Sequence, residues 1–107
     1  MYVDSSTAHA QLHDAEDTSR LAIHAPEDFP IDRIDRSLRT SGLGQVQDGS
    51  AHLSITALRE AAMRDGASAE AFEAMIQYAR RMKWASTEGL YVKAHIEYTP
   101  AHQGEQP

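Results

Sequence analysis

The sequence predicts an α+β domain: a small antiparallel sheet with helices packed on one of its faces. Three observations carry that prediction. Residues 90–98 alternate apolar and polar side chains without a break, the pattern of a strand that is buried on one face and wet on the other. Residues 54–83 carry two apolar stripes at helical spacing, each preceded by a hydroxyl side chain suited to an N-cap. Asp48-Gly49 separates two short extended pieces, Leu43–Gln47 and His52–Ser54, as a hairpin turn would.

Taken in chain order, residues 1–18 are rich in Ser, Thr, Ala, His and acid and have no sustained period. They are expected to be a disordered acidic leader. Leu21 and Ile23 then share one face of a candidate strand at Arg20–His24, which Pro26 ends. A helix follows Phe29 and Pro30, with Ile31, Ile34 and Leu38 as its inner stripe. Asp32 with Arg36 and Asp35 with Arg39 are acid-before-base pairs at i,i+4, and Gly42 is the stop. After the hairpin, Ser54 or Thr56 caps a helix lined by Leu58, Ala61 and Ala62, and Gly66 ends it. Ser68 caps the next helix, Glu70 sits in its first turn, and Phe72, Met75, Ile76, Ala79 and Met82 form its stripe. The final strand puts Leu90, Val92, Ala94, Ile96 and Tyr98 on one face and Tyr91, Lys93, His95 and Glu97 on the other. Pro100 and a polar tail follow. The expected organisation is a leader at 1–18, one α+β domain at 19–99 and a flexible tail at 100–107.

This element order fits the split βαβ arrangement of ferredoxin-like sheets. A winged helix is the alternative, with residues 83–98 folding back as the wing. The expected core is Leu21, Ile23, Ile31, Ile34, Leu38, Leu58, Phe72, Met75, Ile76, Ala79, Met82, Val92 and Ile96.

Composition removes several chemistries. The chain of 107 residues has no cysteine, which excludes disulfides, thiolate catalysis and cysteine-ligated zinc. No apolar run approaches the ~20 residues of a membrane span. The first residues lack the basic and apolar regions of a signal peptide, so a cytoplasmic location is expected. Net charge is −6, and residues 1–28 hold six acids against Arg20 alone. That balance disfavours nucleic acid as a partner. No phosphate-binding loop, nucleophile elbow or zinc-protease motif occurs.

Ala62-Met63-Arg64-Asp65-Gly66-Ala67-Ser68, followed by Phe72 and Met75, resembles the bacterial DNA-binding helix-turn-helix pattern over about twenty residues. The resemblance implies that the helix after Ser68 reads bases from its first turns. Two features depart from it. Asp65 stands where the pattern is usually apolar, and Glu70 and Glu73 would face phosphates.

Three groups of side chains are candidates for function. Arg80, Arg81 and Lys83 form a basic patch that can contact phosphate or an acidic surface. His9 and His13 are spaced for a metal on a helix, but the segment lacks helix signals, and no metal site or cofactor is expected. His24, Tyr91, Lys93, His95 and Glu97 converge if their strands are neighbours, and they form the candidate ligand or partner surface. The expectation is a non-catalytic protein-interaction or regulatory module that binds a protein or a second copy of itself. A DNA-binding winged helix is the alternative, and a small ligand-binding protein or enzyme using the open sheet face is the second.

Overall fold

The computed structural model of the chain describes residues 1–86 and 88–100. Six strands and three helices appear in the order β1 (Tyr2–Asp4), β2 (Gln11–His13), β3 (Ala22–Pro26), α1 (Ile31–Ser41), β4 (Gly44–Gln47), β5 (Ser50–Ser54), α2 (Ile55–Arg64), α3 (Ala69–Arg81) and β6 (Tyr91–Thr99). The strands form one curled sheet in the order β2-β1-β3-β6-β5-β4.

The sheet is mixed, where an antiparallel one was expected. β3 runs parallel to both β1 and β6, while β6 is antiparallel to β5 and β5 to β4. β6 joins the two halves. Its residues 91–94 pair with β5 and its residues 95–99 pair with β3. Opposite β5, the short segment Trp84–Ser86 folds back on the first half of β6. The Lys93 N–H donates to the Trp84 carbonyl at 2.7 Å and the Ser86 N–H to the Tyr91 carbonyl at 2.8 Å.

Helix ends follow their capping residues. Gly42 closes α1 at φ 76°, and the Leu43 N–H reaches back to the Leu38 carbonyl at 3.1 Å, the bond pattern that satisfies the last carbonyls of a helix. The Ser54 hydroxyl accepts the Ala57 N–H at 3.2 Å, and the Ser68 hydroxyl accepts that of Ala71 at 3.3 Å. Gly66, at φ +90°, turns the chain between α2 and α3.

The core lies between the inner sheet face and the helices. Val3, Ile23, Leu53 and Val92 from the sheet are buried with Ile34, Leu38, Leu58, Phe72 and Ile76 from the helices. Each large side chain so buried contributes about 1.5–3 kcal/mol. Two residues expected in this core lie outside it. Ile31 is 40% exposed because it opens α1, and Met82 is 46% exposed because it follows the last turn of α3.

Residues 1–18, expected as a disordered leader, carry β1 and β2. Val3 is fully buried, and Met1, Ala10 and Ala15 are nearly so. Ser5 donates both its N–H and its hydroxyl to the His24 carbonyl at 3.0 Å. The Ser37 hydroxyl of α1 donates to the Thr7 carbonyl at 2.7 Å. Strands of three residues show no period in the sequence, and these are held by tertiary partners. Apart from Pro100, the tail expected at 100–107 lies outside the described residues. Among the described residues no helix is long and apolar enough to cross a membrane.

Candidate functional site

Two surfaces meet at β6. The first is the outer sheet face. Pairing of His24 with Glu97 and of Ala22 with His95 sets β3 and β6 in register, with His24, His95 and Glu97 on the same side. His24 Nε2 lies 3.3 Å from Glu97 Oε1, and the Arg20 guanidinium donates to the other oxygen of that carboxylate. Tyr2 stacks on His24 with ring centroids 4.1 Å apart, and His13 stacks on the far side of the strand pair, 5.1 Å from Tyr2. His52 stands opposite Lys93 on the neighbouring strand.

The predicted surface residues therefore share a face but do not form one cluster. His24 and Glu97 meet, and His95 and Lys93 stand exposed beside them. Tyr91 is six residues from Glu97, or about 20 Å along the strand. Glu97 already serves two partners, and the face is a shelf of paired side chains. Among the described residues, no group of three or more acids or histidines is arranged to hold a metal ion. Tyr2, His13 and Arg20 belong to this face and were missed, because they lie in or beside the segment read as a leader.

The second surface is a groove of about 510 Å³ between α3 and the edge of the sheet, where both Val92 and Lys93 reach it. Its origin is the divided edge of β6. Trp84–Ser86 covers residues 91–93, β3 covers residues 95–99, and the two segments leave a gap between Trp84 and Leu21. α3 closes one wall with Ala71, Ala74, Met75 and Tyr78, and the stretch Thr18–Leu21 closes the other. The alanines are too small to fill the space. Tyr78 and Trp84 meet edge to face at 5.7 Å, and Tyr78, Met82 and Trp84 are 49%, 46% and 45% exposed. A second cavity, of about 560 Å³, shares Leu21, Trp84 and Lys93 with the first.

The basic patch stands at the far end of α3. Arg80, Arg81 and Lys83 are all exposed. The Arg81 guanidinium lies 5.7 Å from the Tyr78 ring centre. At the front of α3, Glu73 is bound to Arg59 at 2.7 Å and Glu70 is exposed. Asp17, next to the groove wall, is held below the usual carboxylate range by hydrogen bonds from the Ser19 hydroxyl and backbone N–H. The periodicity of α3 revealed its inner stripe only. Ala71, Ala74 and Tyr78 lie beside that stripe, and the sequence contains no signal that their side is left uncovered.

Compared with models of known families, with curated proteins and with solved structures, the chain matches none.

Proposed function

We propose that this protein is a non-catalytic interaction module that docks a partner in the groove between α3, Leu21 and Trp84. One observation carries this reading: the half-exposed Tyr78 and Trp84 line one apolar groove together with Leu21, Met75 and Ile76. Single exposed apolar residues are ordinary, but a contiguous patch beside a cavity is characteristic of a docking site. The open sheet face is the weaker candidate, since its acid is already ion-paired with Arg20 and in contact with the His24 ring.

Trp84 is the sole tryptophan, so intrinsic fluorescence reports on the groove. Titration with anilinonaphthalene sulfonate, an apolar anionic dye, should quench Trp84 by energy transfer. Ala74→Glu, on an exposed helix position, should weaken dye binding about tenfold, equivalent to roughly 1.4 kcal/mol, with the circular dichroism unchanged. Equal dye binding by both proteins would place the site elsewhere.

A winged-helix DNA binder is the second reading, and a different observation favours it. Trp84–Ser86 returns along β6 directly after the α2–Gly66–α3 pair, where a wing strand belongs. Against it stands the front of α3, where Ala69, Glu70 and Ala74 are the exposed side chains. Duplex affinity that falls steeply with salt would favour this reading, and absence of binding at low salt would remove it.

A further inference from the structure

We infer that the occupant of the groove is an acidic amphipathic helix of another protein, lying along α3; this rests on the groove being the docking site. Charge is the first argument. The charged side chains lining the groove are Arg20, which Glu97 already holds, and Lys93, both cations. Arg80, Arg81 and Lys83 continue the positive rim past the end of α3. The structure gives Lys93, Arg80 and Lys83 no carboxylate partner among the described residues. These cations stand on a chain whose net charge is −6, so the local field opposes the overall one and selects an acidic partner at this place.

Shape is the second argument. The exposed apolar side of α3 runs from Ala71 through Ala74 and Tyr78 to Met82, about 16 Å at the helical rise. That length matches three turns of a partner helix presenting side chains at i, i+3 or i+4, and i+7. Ala71 and Ala74 let a second backbone come close, and Tyr78 and Trp84 offer flat faces for its apolar anchors. A small ligand enclosed by the groove would leave Met82 and the outer edges of both rings uncovered, whereas a helix covers them. Charge also sets direction. Glu70 stands at the start of α3 and the cations at its end, so the acids of the partner gather where α3 finishes.

Two synthetic helical peptides test this. They share one Leu/Phe face and differ only in a Glu-rich or Lys-rich polar face, and Trp84 emission reads binding to the intact chain. The Glu peptide should bind at least about tenfold tighter at low salt, and the advantage should shrink as salt screens the rim. Arg80→Glu combined with Lys83→Glu, at exposed positions outside the groove lining, should reverse the preference while leaving dye binding in place. Equal affinity for both peptides, or dye binding with no peptide binding, would overturn the acidic-helix assignment and leave the groove reading intact. Concentration-dependent dimerisation that displaces the dye would overturn it in favour of a second copy. Binding to phosphatidylglycerol vesicles in place of the Glu peptide would overturn it in favour of a lipid surface. Loss of dye binding altogether would instead count against the groove.

Discussion

The phenol ring of Tyr2 lies parallel to the imidazole of His24, with centroids 4.1 Å and planes 14° apart. β1 is only three residues long, so this contact and the buried Val3 beside it hold the strand against β3. Tyr2→Ala should cost about 1–2 kcal/mol. It should also remove the upfield ring-current shift of the His24 side-chain protons. Chemical denaturation measures the first effect and a ¹H–¹³C spectrum the second. An unchanged His24 signal would show that the stack does not persist in solution.

Gly44 is required where β4 meets β5. A Cβ there would collide with the His52 carbonyl oxygen and lie 2.9 Å from the Leu53 Cα. Neither atom can yield without breaking the ladder. Gly44→Ala should therefore destabilise the fold by more than about 2 kcal/mol. Gly42→Ala, where φ is +76° but nothing lies within 4 Å, should cost about 1 kcal/mol. Comparing the two midpoints in urea separates collision from backbone strain.

Lys83 ends α3 with φ 63°, in the left-handed region that favours glycine. The Lys83 N–H donates to the Arg80 carbonyl at 3.0 Å and the Trp84 N–H to that of Ala79 at 2.8 Å, so the turn is needed to satisfy the end of the helix. Lys83→Gly should stabilise the protein by about 0.5–1 kcal/mol. A thermal melt checks it. A fall in the midpoint would mean that the lysine side chain contributes more than its backbone costs.

Asp17 carries a pH dependence whose sign follows from its hydrogen bonds. The Ser19 hydroxyl and N–H bind the ionised carboxylate and lower its pKa. The folded state thus releases this proton more readily than the unfolded chain. The stabilisation is fully present above the unfolded value and is lost as pH falls through the folded one. Asp17→Asn should remove that part of the acid dependence, because an amide does not titrate. Carboxyl NMR shifts followed from pH 6 downward would read it, and a midpoint at or above the ordinary aspartate value would contradict it.

Much of the fold was legible where local signals coincide with tertiary ones. Ser54 and Ser68 cap helices in the structure as their hydroxyls suggest, Gly42 and Gly66 turn the chain, and residues 91–95 alternate exposed and buried because one face is covered, whereas Leu90 and Tyr98, expected on that face, are exposed. The site was legible only in part. His24 and Glu97 could be placed on strands by parity, but the sequence did not show that Tyr2 and His13 would stack beside them. The groove was not legible at all, since Ala71, Ala74 and Trp84 acquire meaning only from a gap between two segments far apart in the chain.

The sequence by itself determined the helices, their caps, the hairpin turn and the inner faces of β3 and β6, because hydrophobic period, capping and turn chemistry act within a few residues. Tertiary structure alone decided that β3 runs parallel to β6, that residues 2–4 and 11–13 become strands, and that the edge of β6 is shared between β3 and Trp84–Ser86. Those outcomes depend on backbone hydrogen bonds that every residue but proline can offer. Such bonds leave no pattern in the side chains, and the groove that carries the proposed function is made by them.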